Sequence, residues 1–430
     1  MQSVWSDSIT LPSFEPLEQD ISTDVLIIGG GITGILCAYQ LKKAGVSCIL
    51  AEASSICSGI TKNTTAKITS QHGLIYHKLI KTFGVEKAQL YLDANEFAVE
   101  QFCKLCQNID CDFESKDSFV YSLSNIQKLE QELNALEKIG YSAEFTTELP
   151  LPFSTVGAIR FKNQAQFHPL KFLAQIATDL PIYENTKVTA LQDGAALTPK
   201  GTISAKKIIV TTHFPFLNKH GSYFLKMYQH RSYVLALKNA PHMNGMYIDE
   251  SGNGFSFRNY KDLLLLGGGS HRTGKSGGNW ETLYKAANHY YPDAHEAFRW
   301  ATQDCMTLDT VPYIGQYSKH TPNLYVATGF NKWGMTSSMV AASLLPDLVL
   351  EKDNPFTEVF SPSRTILHPQ LAVNAFEALT NLLSFSTKRC PHMGCALKWN
   401  PQEHTWDCPC HGSRFTQNGT LIDNPAARDL

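Results

Sequence analysis

Apolar positions near the start of the chain predict a strand, a glycine turn, a helix and a second strand. Residues 25–28 form a short apolar run, and apolar residues recur at near-helical spacing over 35–41. A second apolar run covers 46–51 and ends at Glu52. These segments make up a βαβ unit, so the two strands are expected to pair in parallel.

Another strand, glycine turn and helix are predicted much later, over 324–350. Two such units this far apart are expected when one domain is built from both ends of the chain and another domain is inserted between them. Residues 85–139 are predicted to be mainly helical, with Ser124 and Gln127 at the spacing of a capping box. Further apolar runs predict strands at 205–213, 233–237 and 263–269.

Composition and charge exclude several classes of protein. The 430 residues are 43% hydrophobic, which is enough for several buried cores. Lysine and arginine (37) nearly balance aspartate and glutamate (39), so no basic field favours nucleic acid as a partner. The start of the chain lacks the basic and apolar regions of a secretory signal, and no apolar run reaches about 18 residues. We therefore expect a cytoplasmic protein with no membrane partner.

A GxGxxG motif formed by Gly29, Gly31 and Gly34 lies between the first strand and the first helix. The first glycine permits a tight turn, the second lets the backbone approach a pyrophosphate, and the third allows close packing of helix and strand. The helix N-terminus offers NH groups to that anion. Glu52, at the end of the second strand, is placed to accept hydrogen bonds from a ribose. In this context the motif predicts a dinucleotide site rather than a glycine turn without a ligand.

Both NAD and FAD bind to this fingerprint, and two other segments decide between them. Residues 58–67 are dense in small and hydroxyl side chains that suit a pyrophosphate and a flavin ring. Gly329 and Gly334 flank the start of a second helix, whose N-terminus can stabilise the negative charge of a reduced flavin. A nicotinamide ring has no such need, so these features favour FAD.

Two cysteines and two histidines at the C-terminal end have the spacing of metal ligands. Cys390 and His392 form CxH, fifteen residues follow, and Cys408 and His411 form CxxH. Each pair offers one thiolate and one imidazole, which matches a 2Fe–2S centre with one iron held by cysteines and the other by histidines. The alternatives are a tetrahedral zinc site built from the same four residues, or an empty site.

Taken together, these motifs resemble the FAD-dependent oxidoreductases of the glycine/D-amino-acid oxidase superfamily, in the branch that carries a C-terminal Rieske domain. The resemblance rests on the segments GGGITG, TTAKITSQHGLIY, TLDTVPYIG and ATGFNKWGMT and on the cysteine–histidine motif. It implies an α/β and α+β fold class, with a Rossmann-like FAD-binding domain, an inserted mixed-sheet substrate domain and a small β-rich Rieske-like domain. The Rieske-like part is shortened, because residues 365–389 have helical rather than alternating spacing.

The resemblance also guides the domain boundaries. We expect the FAD-binding domain to take residues 1–84, 184–216 and 303–364. The substrate domain is expected to take residues 85–183 and 217–302. The Rieske-like 2Fe–2S domain is expected to take residues 365–430, after a change of composition near Arg364.

The resemblance further implies which residues contact each group. The residues implied to contact FAD are Gly29, Gly31, Gly34, Glu52, Ala53, Ser58, Thr65, Ala66, Lys67, Val188, Gly315, Gly329, Gly334, Met335 and Thr336. The candidates for catalysis or substrate positioning are Lys67, His72, Tyr233, His271, Arg272 and Trp333. The implied cluster ligands are Cys390, His392, Cys408 and His411, with Cys395 and Cys410 joined in a disulfide. An arginine could hold a substrate carboxylate with two hydrogen bonds.

Other cysteines have simpler explanations. Cys305 lies in a region where some relatives attach flavin covalently, but a small buried cysteine is the commoner use of the residue. Cys103 and Cys106 share one apolar helix face with Val99 and Phe102. Core packing, rather than metal binding, is therefore expected for this group.

The resemblance implies an enzyme that oxidises an amine or amino acid by hydride transfer to flavin. Electrons would pass to oxygen, or one at a time through the Rieske 2Fe–2S centre to an acceptor protein. The alternatives are a flavin dehydrogenase for a non-amine substrate, and a flavin and iron–sulfur redox sensor or electron carrier with little turnover. The expected partners are thus a small-molecule substrate and an electron acceptor or oxygen.

Overall fold

The computed structural model describes residues 2–192, 194–217, 220–277 and 279–430. The strands, in chain order, are β1 Ile21–Ile28, β2 Cys48–Ala51, β3 Lys67–Ile68, β4 Glu114–Ser122, β5 Glu144–Thr146, β6 Gly157–Gln166, β7 Ile182–Tyr183, β8 Ala190–Gln192, β9 Ala195–Leu197, β10 Thr202–Val210, β11 Met227–Lys238, β12 Met246–Asp249, β13 Ser256–Tyr260, β14 Leu263–Arg272, β15 His295–Thr307, β16 Tyr313–Gln316, β17 Leu324–Thr328, β18 Lys398–Asn400, β19 Thr405–Asp407, β20 Arg414–Thr416 and β21 Leu421–Asp423.

The helices, in chain order, are α1 Val4–Asp7, α2 Ile32–Lys43, α3 Tyr76–Phe83, α4 Val85–Cys106, α5 Ile126–Lys138, α6 Pro169–Ala177, α7 Tyr223–Lys226, α8 Asn279–Tyr290, α9 Gly334–Val349, α10 Thr357–Phe360 and α11 Pro369–Leu383. A short 3₁₀ helix covers Ile60–Asn63. Across the described ranges, no helix combines the length and the apolar character that a membrane span requires.

The first sheet is mostly parallel and has β1 near its centre. Its main path runs β16-β17-β10-β1-β2-β7, and the β8–β9 hairpin joins it at β10. Side chains on both faces of β1 are buried, with Val25 and Ile27 in one core and Leu26 and Ile28 in another. A parallel strand that is covered on both faces needs an unbroken apolar sequence, which explains the run at 25–28.

Helices α2 and α9 lie side by side against this sheet. The hydroxyls of Thr33 and Ser338, one from each helix, are hydrogen-bonded at 2.9 Å. Strands β1 and β17, which lead into these helices, belong to the same sheet. The two strand, glycine and helix units at opposite ends of the chain therefore form one layer, as the apolar pattern predicts.

The second sheet has nine strands, in the order β15-β11-β14-β13-β12-β4-β6-β3, with β5 beside β6. Its pairs are antiparallel except for β4 with β12, so the sheet is mixed. Helix α8 packs against β14 and β11. Residues 85–139 are mainly helical as predicted, but β4 lies between α4 and α5 and the helical periodicity around it hid this strand.

Helix α5 begins one residue later than the capping-box spacing predicts. Its N-cap is Asn125, whose Oδ1 accepts a hydrogen bond from Lys128 N at 3.0 Å. The hydroxyl of Ser122 in turn accepts from Asn125 N at 3.0 Å. Asparagine caps a helix as well as serine does, so the predicted cap at Ser124 was wrong by one position.

The C-terminal part forms a small antiparallel sheet of four strands in the order β18-β19-β20-β21. Helix α11 precedes this sheet, which confirms the helical spacing predicted over 365–389. Apolar side chains of α11 stay exposed, with exposed fractions of 48% at Val373, 68% at Phe376 and 58% at Leu379. The small sheet and one helix are consistent with a shortened Rieske-like domain.

Candidate functional site

A cavity of about 1090 Å³ lies between the first and second sheets. Its wall includes the glycine turn after β1, the segment 57–67, and strands β11, β14 and β15 of the second sheet. Small-molecule pockets usually measure ~300–1000 Å³. The cavity therefore has room for a dinucleotide with a small substrate beside it.

Two positions of the GxGxxG turn can be occupied only by glycine. Gly29 has a φ of +112°, and a Cβ added there would lie 2.8 Å from the carbonyl oxygen of Thr211. A Cβ on Gly34 would lie 1.9 Å from the carbonyl oxygen of Gly29. The helix therefore approaches the turn closely because neither residue has a side chain. Gly31 lines the cavity, and the arrangement fits a dinucleotide pyrophosphate.

Glu52 follows β2 and faces the cavity. Its Oε2 accepts a hydrogen bond from Gly30 N at 2.6 Å, and its Oε1 accepts one from Ser54 N at 2.9 Å. Burial raises the pKa of this carboxyl group, and the backbone NH donors oppose the rise. A carboxylate has lone pairs for additional donors, so Glu52 can also accept a hydrogen bond from a ribose hydroxyl.

Most residues that the resemblance assigns to FAD line this cavity. They are Gly29, Gly31, Glu52, Ala53, Ser58, Thr65, Lys67, Val188, Gly329, Gly334 and Met335. Gly34, Ala66, Gly315 and Thr336 are not part of the wall. Gly34 packs beneath the turn, and Thr336 donates a hydrogen bond to the carbonyl oxygen of Thr69 at 3.2 Å. Gly34 and Thr336 therefore lie behind the residues of the wall.

Lys67 is a half-buried amine on the cavity wall. Burial, with a smaller contribution from the guanidinium of Arg258, lowers the pKa of Lys67 to about 7. Its Nζ donates a hydrogen bond to Thr65 Oγ1 at 3.2 Å. Arg258 holds the same segment in place, because its Nη1 donates to the carbonyl oxygens of Thr65 and Ala66 at 2.8 Å each. Lys67 can therefore take up or release a proton near neutral pH, and sequence reasoning missed Arg258.

His72 and Trp333 form a stacked pair at the cavity, with ring centroids 4.8 Å apart and planes 14° apart. The imidazole of His72 is hydrogen-bonded to Tyr91 Oη at 2.7 Å and lies 2.9 Å from the carbonyl oxygen of Thr69. Burial lowers the pKa of His72 to about 3. His72 is thus neutral and fixed, and its geometry suits positioning Trp333 rather than proton transfer.

Two of the candidate residues, Tyr233 and Arg272, are hydrogen-bonded to the C-terminal domain, and Tyr233 also lines the cavity. Tyr233 Oη donates a hydrogen bond to Glu403 Oε1 at 3.0 Å, and its ring stacks on His271. Arg272 Nε donates to the carbonyl oxygen of Pro409 at 3.2 Å, and its Nη1 donates to Asn374 Oδ1 at 3.0 Å. Neither His271 nor Arg272 lines the cavity. Among the described residues no arginine lines it, so the expected arginine clamp for a carboxylate is not formed.

Among the residues of the cavity wall that sequence reasoning missed are His230, Asp304 and Lys332. His230 on β11 lies directly opposite Asp304 on β15, and Lys332 donates a hydrogen bond to Ser270 Oγ at 3.0 Å. Burial raises the pKa of Asp304 to about 6 and lowers that of Lys332. Lys332 was detectable as a lysine within the predicted glycine turn FNKWG. Asp304 was not, because its position depends on strand register.

The four predicted cluster ligands lie in two pairs. The thiols of Cys390 and Cys408 are hydrogen-bonded, and this contact lowers the pKa of Cys390 to about 7. The rings of His392 and His411 have centroids 4.9 Å apart and are perpendicular. His411 Nδ1 is buried without a hydrogen-bond partner among the described residues. Two adjacent thiols and two adjacent imidazoles fit the donor set of a 2Fe–2S cluster.

The same geometry argues against a single zinc ion. A tetrahedral zinc at ~2.0–2.3 Å from each ligand needs all four donor atoms within about 4 Å of one another. Within the described chain, Cys395, Cys408 and Cys410 are the only group of three or more cysteine, histidine or acidic residues whose ligand atoms all lie within 4.8 Å of one another. Cys395 and Cys410 are joined in a disulfide, as the resemblance implies. The two cluster pairs are therefore too far apart for one metal ion.

The comparison with protein families decides the identity. The sequence matches the FAD dependent oxidoreductase family, DAO, over residues 24–348 and the Rieske [2Fe-2S] domain over residues 367–430. The chain belongs to the FAD dependent oxidoreductase family. It carries a Rieske domain at its C-terminal end, and this confirms the predicted fold class and both predicted cofactors, FAD and a 2Fe–2S cluster.

Individual relatives are similar over most of their length. The protein YhfW of Bacillus subtilis (strain 168), named for a Rieske 2Fe-2S centre, is 36% identical in an alignment of 492 positions. The alignment covers 100% of this chain and 97% of YhfW. The gamma-glutamylputrescine oxidoreductase of Escherichia coli (strain K12) is 23% identical over 84% of this chain and 93% of its own. The glycine oxidase of Geobacillus kaustophilus has the same fold, with a TM-score of 0.68 and 20% identity over 80% of this chain and 99% of its own.

The Rieske domain packs on the face of the second sheet opposite to the one that lines the cavity. Gln229 Nε2 donates a hydrogen bond to the carbonyl oxygen of the predicted ligand His411 at 2.7 Å, and Gln303 Nε2 donates to that of Gly412 at 2.8 Å. Successive residues of a strand point to opposite faces. His230, next to Gln229, accordingly lines the cavity. Strands β11 and β15 of the second sheet therefore lie between the cavity and the Rieske domain.

Cys305 and the group Cys103, Cys106 and Cys111 lie away from the cavity, whereas Cys57 lines it. Cys305, on β15, is 1% exposed and does not line the cavity, which fits a packing role. Cys106 and Cys111 are buried, and their thiols are hydrogen-bonded to each other. Cys103 is half-buried on α4. This group lies in the core, as the helix-face pattern predicts.

Proposed function

We propose that this FAD oxidoreductase oxidises the C–N bond of a small amine or amino acid, and that the electrons leave one at a time through the Rieske domain to an acceptor protein. FAD supplies the hydride-accepting ring, and the cluster supplies a one-electron carrier. The observation that carries the proposal is the pair of opposite charges, Asp304 and Lys332, on the cavity side of the sheet whose other face holds the Rieske domain.

Asp304 and Lys332 suit a substrate that carries an ammonium and a carboxylate. Asp304 offers a carboxylate to an ammonium, and Lys332 offers an ammonium to a carboxylate. Both side chains line the cavity, where Asp304 is half-buried and Lys332 is exposed to the cavity space. A bound substrate with matching charges would pair with both groups and exclude water from them, which strengthens both contacts. Relatives named gamma-glutamylputrescine oxidoreductase and glycine oxidase also support this substrate class.

Lys67 is suited to hold the substrate's proton. An ammonium has to lose a proton before its C–N bond can be oxidised. The pKa of Lys67 is about 7, so a neutral amine is present at ordinary pH to accept that proton. His72 has a pKa of about 3 and is a much weaker base. The proton is therefore assigned to Lys67 Nζ.

The hydrogen-bonded contact between the second sheet and the Rieske domain supports an electron acceptor other than oxygen. Gln229 and Gln303 hydrogen-bond to the loop that carries His411, and Gln303 Nε2 also donates to Gln229 Oε1 at 2.7 Å. These amides keep the ligand loop at a fixed distance from the cavity wall. A fixed short separation favours electron transfer within the chain over a mobile shuttle.

Substitutions of the two charged residues test the proposed substrate class. Lys332→Met is expected to raise KM for amino acids about 10- to 100-fold, because one charge-assisted contact is lost. The same variant should leave KM unchanged for matched amines that lack the carboxylate. Asp304→Asn should raise KM for both compounds. Steady-state turnover of each compound with an artificial electron acceptor measures these KM values.

The control is Lys352→Met, which removes an exposed lysine beyond α9. This variant should behave as the parent protein.

Because the pKa of Asp304 is about 6, its carboxylate is lost as the pH falls through 6, and KM for the amine should rise there. Asp304 faces the charges of Lys332 and Arg231, both of which oppose its raised pKa. Equal effects of Lys332→Met on the amino acid and on its amine would contradict the proposal.

A further inference from the structure

Strand β21 and the residues that follow it reach back from the Rieske domain to the first sheet. Residues 421–424, 426 and 427 line the FAD cavity, on the same wall as Thr186, Lys187 and Val188. Residues 421–427 are called the C-terminal tail here. The backbone NH of Thr186 donates a hydrogen bond to the carbonyl oxygen of Glu52 at 2.8 Å. The tail thus lies near the carboxylate that is placed to bind a ribose, which is the adenosine end of the cavity.

Specific hydrogen bonds hold the tail to the nucleotide-binding sheet. Asn424 Nδ2 donates to the carbonyl oxygens of Thr212 and Phe214, which follow β10, the latter at 2.8 Å. Lys187 Nζ donates to the carbonyl oxygen of Ala427 at 2.7 Å. Gln229 Nε2 donates to the carbonyl oxygen of Asn424 at 3.1 Å. The tail is therefore fixed on both of its sides and is not a loose end.

We propose that the C-terminal tail of the Rieske domain is part of the FAD site and closes it around the adenosine half of the cofactor. The Rieske domain then has a second role besides electron transfer, because it retains FAD. This inference rests on FAD as the cofactor and does not depend on the substrate. FAD affinity can be measured without turnover, so the inference can fail while the proposed function stands.

The tail is also connected to the cluster ligands. Ser413 Oγ accepts a hydrogen bond from Ala426 N at 2.9 Å, and its hydroxyl is hydrogen-bonded to the ligand Cys390. The side chain of Ser413 therefore links the position of the cluster loops to the position of the tail. Coupling between two binding sites is reciprocal. Protein that contains iron should accordingly bind FAD more tightly than the same protein without iron.

The test uses the full-length protein stripped of flavin and titrated with FAD, with quenching of flavin fluorescence as the readout. Asn424→Ala removes the two hydrogen bonds to the loop after β10 and is expected to weaken FAD binding about tenfold. Asn418→Ala is the matched control, because Asn418 is exposed in the turn between β20 and β21. This variant should keep the parent affinity.

FMN distinguishes a local effect from a general loss of structure, because it lacks the adenosine half. Asn424→Ala should leave FMN affinity unchanged. Ala427→Trp keeps the hydrogen bonds of the tail but fills the adenosine end, so it should weaken FAD and spare FMN as well. Equal weakening of FAD and FMN, or parent-like FAD affinity in both variants, would overturn the proposal. Equal FAD affinity of iron-loaded and iron-free protein would overturn the coupling to the cluster.

Discussion

A Gly31→Val variant is expected to fold and to purify without its yellow cofactor. Gly31 lines the cavity at the start of α2, and a Cβ there would meet only Thr61 Oγ1, at 3.3 Å. The protein itself can thus accommodate the change with a small shift of one side chain. The valine methyl groups would occupy the space in which the pyrophosphate approaches the backbone. Flavin occupancy should fall below about a tenth of the parent value.

The measurement is the ratio of flavin to protein absorbance, together with circular dichroism of the flavin-free protein. Gly34→Val gives a contrast, because a Cβ there would lie 1.9 Å from the carbonyl oxygen of Gly29 and would force α2 away from the turn. That variant should lose secondary structure as well as flavin. Full flavin occupancy in Gly31→Val would show that the pyrophosphate does not lie against this turn.

The second large effect is expected at Glu403, which joins the Rieske domain to the second sheet. Its carboxylate is paired with Arg231 and with Arg414, whose Nη2 donates at 2.7 Å, and it accepts a hydrogen bond from Tyr233 Oη at 3.0 Å. The side chains of Glu403, Arg231 and Arg414 are at most 7% exposed. Glu403→Ala would leave two buried guanidinium groups without this partner. The free energy of unfolding of the Rieske domain should fall by about 3–5 kcal/mol.

Denaturant unfolding followed by loss of the cluster absorbance measures this change. The control is Glu18→Ala, which removes a salt bridge to Lys200 whose side chains are 61% and 57% exposed. Loss of an exposed ion pair of this kind should change the free energy of unfolding by at most about 0.5 kcal/mol. If Glu403→Ala unfolds at the same denaturant concentration as the Glu18 control, the ion network does not hold the domain in place.

Both cofactor sites could be predicted because their motifs are local in sequence. The close approach of Gly34 to the carbonyl oxygen of Gly29 lies within one βαβ unit, so the motif and its flanking apolar runs contain the necessary information. The cluster ligands likewise lie on two short loops, and their spacing reflects the distance between those loops. The alternative of a single zinc ion needed the structure, because spacing alone does not separate one metal from two.

The charged cavity wall could not be predicted because it depends on pairing between distant strands. Asp304 faces the cavity through the register of β15 against β11, which places it opposite His230. Arg272 resembled a carboxylate clamp in sequence, but domain docking directs it to Pro409 and Asn374. No short motif encodes contacts between strands or domains that lie far apart in the sequence. The same reason hid the role of the C-terminal tail.

Low-temperature electron paramagnetic resonance after anaerobic addition of an amino acid tests electron transfer from the substrate to the Rieske domain. We expect the substrate to bleach the flavin absorbance and the rhombic signal of a histidine-ligated 2Fe–2S cluster to grow in the same sample, without any chemical reductant. Electrons would then have passed from the substrate through the flavin to the Rieske domain. A bleached flavin with no cluster signal, in protein that contains iron, would contradict electron transfer through the Rieske domain.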